Sequence, residues 1–174
     1  VIYYDILSRS MVGDVLIGAS ARGLCAVIFG RRSHKSLVKQ LMKMFPDQPV
    51  AHRPSVVKPY RQELKDYFAG RRTEFTQPID LCGVHGPFHR KVLERLAHVP
   101  FGRVISYGEL AARSGSPRGA RAVGGAMAAN PLPVVIPCHR VIESGGKLGG
   151  YSGGLSYKKK LLAHEGVLTR QLGL

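Results

Sequence analysis

The stretch Ser106–Asn130, SYGELAARSGSPRGARAVGGAMAAN, decides the architecture of the second half of this chain. Ser106 followed three residues later by Glu109 has the pattern of a capping box, so a helix starts at Tyr107. Ser114-Gly115-Ser116 breaks it early. Ser116-Pro117 then restarts a helix, with serine as cap and proline at its first position. Asn130-Pro131 stops that helix after about Ala129. Two short helices joined by a glycine-containing turn suggest a helix-turn-helix. The second helix carries Arg118 and Arg121 near its start, and the rest of it is small: Gly124, Gly125, Ala126, Ala128, Ala129. So bare a helix lets its backbone lie close to another surface, either a neighbouring helix or DNA.

Charge favours DNA. The 174 residues carry 26 Lys and Arg against 11 Asp and Glu, a formal net charge of +15. The surplus is spread over both halves, with 13 basic and 7 acidic residues in positions 1–80 and 13 and 4 in positions 81–174. A surplus of this size suits a polyanionic partner, although membrane surfaces and acidic proteins also attract cations. The chain is 44% hydrophobic and 21% charged, which excludes a disordered or collagen-like chain. No apolar run is long enough for a membrane span, and Val1–Ser10 lacks a signal-peptide pattern. Three cysteines without a CxxC fit free thiols in a reducing compartment. The expected location is the cytoplasm or nucleoid, or the nucleus in a eukaryotic cell.

Upstream of the helix pair, the first thirty residues read as β. Ile2–Leu7, Asp14–Ala19 and Gly23–Phe29 are strand-like runs separated by turn residues, as in a meander. Ser33 caps a helix with Leu37, Val38, Leu41, Met42 and Phe45 on its apolar stripe, and Pro46 ends it. Asp47–Pro54 reads as a loop. A second helix runs from about Val56 to Ala69, with Gly70 as its cap. Thr73–Leu81 reads as a further strand weakened by Pro78. A break near Leu81–Gly86 divides an α/β domain, residues 1–81, from a mostly helical domain, residues 86–174, which opens with a helix at Pro87.

Downstream lies the chemistry: Asn130-Pro131-Leu132-Pro133-Val134-Val135-Ile136-Pro137-Cys138-His139-Arg140-Val141. Three prolines stiffen the lead-in, and Val134, Val135 and Ile136 should be buried. Cys138 emerges from it beside a histidine and an arginine. A histidine base or a nearby positive charge raises the thiolate fraction of a cysteine. Neighbours on a strand point apart, so His139 approaches the sulfur only if the chain turns there. The bland alternative is a buried, inert thiol. Glu143–Gly154 follows, with six glycines in twelve residues around Tyr151. It is either a mobile linker or a shaped loop walling a pocket for a flat ring. It lacks the Gly-Lys-Ser/Thr ending of a Walker A loop. Lys158–Lys160 open a last helix that contains Leu161, Leu162 and Glu165, with Gly166 as its cap. These lysines read as a solvated face.

The run Pro137-Cys138-His139-Arg140-Val141 closely resembles the active-site motif of the O6-alkylguanine-DNA alkyltransferases, the methylated-DNA–protein-cysteine methyltransferases. The resemblance extends from about Phe101 to Val167. It includes Ile105-Ser106-Tyr107, Arg121–Met127, Asn130-Pro131 and Tyr151-Ser152-Gly153-Gly154. It implies an RNase-H-like α/β N-terminal domain of antiparallel strands and helices, followed by a helical domain carrying the helix-turn-helix. It also implies DNA repair by direct reversal. Cys138 would take the alkyl group from O6-alkylguanine, with O4-alkylthymine allowed beside it, once and irreversibly.

By the same resemblance, His139 acts as base through a water, with Glu165 behind it, and Asn130 braces the turn. Tyr107 presses on the phosphate beside the target and donates to guanine N3. Arg121 fills the space left by a nucleotide flipped out through the minor groove. Pro133, Met127 and Tyr151 line the alkylguanine pocket. Main-chain groups of Cys138, Val141 and Ser152 read the base edge, and Gly149 and Gly150 leave the loop roomy. Ser116, Gly108, His89 and Ser144 match positions that touch DNA, and Arg118 joins them on charge. Gly108 and His89 depart from the family's residue types there.

The implied partner is double-stranded DNA bound by a monomer, with no cofactor and no membrane. Cys25, Cys82 and His85 make only a partial zinc ligand set. Two other readings compete. A helix-turn-helix binding protein with a structural cysteine would keep all its activity in Cys138→Ala. A hydrolase built on Cys138 and His139 would turn over acyl substrates.

Overall fold

The computed structural model describes residues 1–167, so positions 168–174 of the expected second domain lie outside the described residues. The chain divides into two compact units, Val1–Gly83 and a second that begins at Val84.

In the first unit, β1 (Ile2–Ser10), β2 (Gly13–Ser20) and β3 (Gly23–Gly30) form the expected antiparallel meander. Gly23 is obligatory at its turn. Its φ is +151°, and a Cβ there would lie 2.5 Å from the Pro78 carbonyl oxygen. Helix α1 (His34–Met44) begins where Ser33 accepts the Ser36 N–H at 3.2 Å. Leu37, Leu41 and Phe45 recur every fourth residue, and they are buried against Ile2, Leu16, Ala26 and Ile28 of the sheet. Met42 stands one residue, about 100°, off that row and is 55% exposed, so it does not belong to the expected stripe.

Two elements differ from the sequence reading. Within the expected loop Asp47–Pro54, Val50–His52 forms β4, parallel to β1 at the edge of the sheet order β3-β2-β1-β4. A three-residue edge strand between prolines carries no periodicity to read. Pro49 still serves it, because its carbonyl accepts the Ile2 N–H at 2.8 Å. Thr73–Leu81 is not a strand and pairs only through a single bridge from Ile79 to Leu24. Pro78 cannot donate to a ladder. The N–H groups of Thr76 and Gln77 go instead to the buried Glu63 carboxylate at 3.1 and 3.3 Å. Glu63 projects from α2 (Pro54–Phe68), which starts at its proline, two residues earlier than expected.

The second unit holds α3 (Pro87–Leu96), α4 (Tyr107–Arg113), α5 (Ala120–Ala128) and α6 (Leu155–His164). Ser106 caps α4 by accepting the Glu109 N–H at 3.0 Å. The expected return half of the box is absent, because the Glu109 carboxylate pairs with Arg113 one turn on. Helix α5 starts later than expected. Ser116-Pro117-Arg118-Gly119 is a turn closed by Gly119 N–H to the Ser116 carbonyl at 2.8 Å, so Arg118 precedes the helix. Proline at the second position and glycine at the fourth favour that turn over a helix start. A two-stranded parallel ladder, β5 (Ile105–Ser106) with β6 (Val141–Ile142), was not legible in the sequence. It ties the cap of α4 to the segment that follows Cys138.

Candidate active site

Cys138 opens a single 3-10 turn, Cys138–Arg140, so the chain does bend where the nucleophile requires it. The lead-in is a second tight structure. Val134 has φ +77°, a left-handed conformation unfavourable for a β-branched residue. Asn130 holds it from both ends. Its Nδ2 donates to the Ile136 carbonyl at 2.9 Å, and its Oδ1 accepts the Leu132 N–H at 2.9 Å. Val134 and Ile136 are buried as expected, whereas Val135 is half-buried.

Behind the sulfur lies a buried charge network. His139 Nε2 is 2.7 Å from Glu165 Oε1. Arg140 donates Nε to Glu165 Oε2 and Nη2 to Oε1, each at 2.9 Å. The Gly102 N–H adds a second donor to Oε2 at 3.2 Å. Burial alone would push the Glu165 carboxyl up, but the His139 and Arg140 hydrogen bonds hold it far below the ordinary range. Burial pushes His139 down, against the opposing pull of Glu165, and the net lowering favours the neutral imidazole. A carboxylate only accepts, so the proton sits on Nε2 and leaves Nδ1 as a lone-pair acceptor. That Nδ1 is buried and has no hydrogen-bond partner among the described residues. A buried unpartnered base is costly unless it serves chemistry.

The Cys138 thiol is raised by burial. The Asn130 amide and Tyr151 hydroxyl draw it back down by hydrogen bonding, followed by the charge of Lys158. Lys158 is a correction to the sequence reading. It is fully buried, and its ammonium donates to the carbonyls of Val141 at 2.6 Å, Gly150 at 3.2 Å and Leu148. Only this lysine of the three turns inward: Leu161 and Leu162, three and four residues on, share its helix face and are buried too. That spacing was the signal that the sequence reading passed over. Burial lowers its pKa to about 8. One cation thus fastens the glycine-rich loop to the strand that leaves the nucleophile.

Cys138 opens into a cleft of about 540 Å³, within the usual size of small-molecule sites. One wall comes from Tyr107 of α4 and Ala120, Arg121, Gly124, Met127 and Ala128 of α5. The other comes from Glu143 and Gly149–Ser152. Tyr107 is the first residue of its helix, and its hydroxyl donates to the Gly150 carbonyl at 3.4 Å. Gly149, at φ +70°, lets the loop pass there, since a Cβ would stand 3.1 Å from the Tyr107 ring. Burial, then the negative charges of Cys138 and Glu143, raise the Tyr107 phenol and keep it a donor.

Of the residues expected around the base, Met127, Gly149, Tyr151 and Ser152 line the cleft, and Pro133 and Val141 do not. The Val141 N–H is used by the Cys138 carbonyl, and its own carbonyl is taken by Lys158. Of those expected at DNA, Arg121 lines the cleft, while Ser116 and Arg118 lie in the turn before α5. Gly108 faces Ser144, whose hydroxyl would lie 3.8 Å from a Cβ there. His89 of α3 lies against Gly125 of α5, with its Nε2 3.6 Å from the corresponding Cβ position. A larger groove of about 800 Å³ on the first unit is lined by Tyr4, Ile6, Val38 and Met42, among others, and holds no cysteine. Among the described residues, no group of three or more His, Cys, Asp or Glu side chains could hold a metal ion. No described helix is long and apolar enough to cross a membrane.

This geometry can be set beside known proteins. Residues 2–81 match the 6-O-methylguanine DNA methyltransferase ribonuclease-like domain, and residues 87–167 match the DNA binding domain of the same family. The human methylated-DNA–protein-cysteine methyltransferase is 61% identical over 118 residues, 64% of this chain and 56% of the human protein. The bifunctional transcriptional activator and DNA repair enzyme Ada of Escherichia coli is 36% identical over 159 residues, 91% of this chain and 44% of Ada. The chain therefore spans about half the length of these two relatives. A crystal structure of the Mycobacterium tuberculosis OGT in complex with DNA superposes with a TM-score of 0.79 at 32% identity, covering 94% of this chain and 92% of that one. With both halves matched and nearly the whole fold shared, this chain belongs to the O6-alkylguanine-DNA alkyltransferase family.

Proposed function

We propose that this protein repairs DNA by moving the alkyl group of O6-alkylguanine onto Cys138, once per chain. The observation that carries this reading is the pairing of two features. A cysteine faces an open cleft, and behind it a neutral histidine is anchored through Nε2 by an ionised glutamate, with its other nitrogen unpartnered. His139 Nδ1 takes the thiol proton, directly or through one water, and Glu165 stabilises the imidazolium that forms. The thiolate electron pair attacks the alkyl carbon in line as the bond from that carbon to O6 breaks. Guanine leaves with that bond's pair while the Tyr107 hydroxyl hydrogen-bonds N3. Any proton that guanine takes through Tyr107 is returned to the phenol from solvent, and the imidazolium gives up the thiol proton to solvent in turn, so one proton passes in net from sulfur to guanine. The product is a thioether, which has no activated carbonyl for water to attack, so the cysteine is not regenerated.

The substrate is double-stranded DNA, approached through the minor groove by α5, whose glycines and alanines let the backbone come close. Arg121 occupies the place of the flipped nucleotide. Ser116, Arg118, Gly108, Ser144 and His89 meet the sugar-phosphate backbone. Residues 86–174 carry DNA binding and transfer, residues 1–81 support them, and the protein works as a monomer wherever the genome lies. Support comes from the charge of +15 and from the relative crystallised with DNA. Titration with a duplex containing one O6-methylguanine tests the reading. Restored guanine should plateau at one per chain, and continued turnover would overturn it.

A further inference from the structure

Among the residues lining the cleft, Glu143 is the acidic one, and nothing in the transfer chemistry above uses it. Its place is defined. It starts the loop that follows β6, where its N–H donates to the Lys147 carbonyl and its carbonyl accepts the Gly146 N–H, each at 2.9 Å. Its Cγ lies 3.4 Å from where a Gly149 Cβ would be, beside the Tyr107 ring at 3.1 Å. So the carboxylate-bearing stem stands against the same loop wall that Tyr107 touches. It enters no ion pair among the described residues. Its charge is felt within the cleft, since it helps to raise the Tyr107 phenol and works against the burial that lowers the Lys158 ammonium.

The cations nearby are committed elsewhere. Lys158 is buried and saturated by three carbonyls. Arg121, the other charged residue of the lining, is assigned to the DNA in the function proposed above. Once damaged DNA is seated, Glu143 is left as the acidic side chain of the cleft wall, its charge offset only from below by the buried Lys158 ammonium. Selectivity by repulsion follows when a fixed charge meets a ligand of the same sign in a confined site.

We infer that Glu143 is a charge filter on the adduct: this protein accepts neutral and cationic O6-alkyl groups and discriminates against anionic ones, such as a carboxymethyl group. The inference rests on the proposed transfer to Cys138, and the test separates the two. Single-turnover rates are measured by intact mass with duplexes carrying O6-methyl-, O6-(2-hydroxyethyl)-, O6-(2-aminoethyl)- and O6-carboxymethylguanine. Each rate is divided by the same protein's rate on the methyl lesion. In the wild type the carboxymethyl ratio should be at least about tenfold below the hydroxyethyl ratio, with the aminoethyl ratio the highest. Glu143→Gln should bring the three ratios within about threefold of one another, and Glu143→Lys should reverse their order. Equal ratios in the wild type, or an unchanged order in Glu143→Lys, would overturn the filter while leaving the transfer reaction intact. If no duplex alkylates Cys138 in the wild type, the function itself fails instead.

Discussion

Each unit of this protein buries a cysteine, and the two are chemically unlike. Cys25 lies in β3 within an apolar cluster, where its thiol donates to the Gly18 carbonyl at 3.5 Å. Burial there, with the neighbouring Cys82 and Asp80 charges, pushes it up to about 12. Cys138 is equally buried, but an amide, a phenol and an ammonium surround it, and it faces a cleft. Depth does not separate an inert thiol from a nucleophile; the polar company at that depth does. The largest expected effect breaks this comparison directly. Cys138→Ala should abolish alkyl transfer while DNA binding persists. Cys25→Ala should transfer at the wild-type rate and cost about 1–2 kcal/mol of stability in a denaturant titration.

The two units also each bury a glutamate. Glu63 accepts from Arg72 at 3.0 Å and from the Thr76 hydroxyl at 2.6 Å, and so pins a loop. Glu165 holds a base and a buried arginine. Glu165→Gln leaves the Arg140 charge uncompensated and should cost about 3–5 kcal/mol and slow transfer by roughly 10²–10⁴-fold. Glu63→Gln should cost about 1–3 kcal/mol and leave the transfer rate unchanged. The pH signature differs as well. The folded-state pKa of Glu165 is depressed, so its stabilisation is present above the ordinary carboxylate value of about 4.3 and is lost as pH falls below it. Acid unfolding of Glu165→Gln should be correspondingly flatter, as read by fluorescence or circular dichroism.

Lys158 sharpens the contrast from a third side. Its folded pKa is lowered to about 8. Its buried charge therefore costs stability below about pH 8, and that cost is relieved as pH rises toward the unfolded value of about 10.4. Loss of the charge also withdraws a cation from Cys138 and loosens the loop. Over that window this residue's contributions have opposite signs: stability rises and the transfer rate falls. Lys158→Met should slow transfer roughly tenfold at neutral pH, about 1.4 kcal/mol of barrier, and remove the alkaline decline.

These comparisons mark what sequence reading could reach. The three-strand meander and the helices capped by Ser33 and Ser106 were legible because their signals are local: turn residues, capping serines and side-chain period. The Cys138-His139 neighbourhood was legible as a motif. The Arg140–Glu165 pair was not, and for Lys158 helix spacing could show its burial but not the carbonyls it fastens, since both join positions that only the tertiary fold brings together. β4 and the β5–β6 ladder were missed for the same reason, being three and two residues long. Pro133 and Val141 were expected at the base from the family resemblance, and neither is among the residues that line the cleft.

The smallest effects concern the caps. Ser33→Ala and Ser106→Ala should each cost about 1 kcal/mol. Only the second should also slow transfer, because Ser106 fixes the first residue of α4, Tyr107.

The account turns on one sulfur. Incubation with a duplex containing O6-methylguanine, followed by mass analysis of the intact chain and its peptides, tests it directly. The prediction is one added methyl group, located on the Cys138 peptide, appearing in step with restored guanine. Restored guanine with an unmodified Cys138, or a methyl group on Cys25 or Cys82 instead, would contradict it.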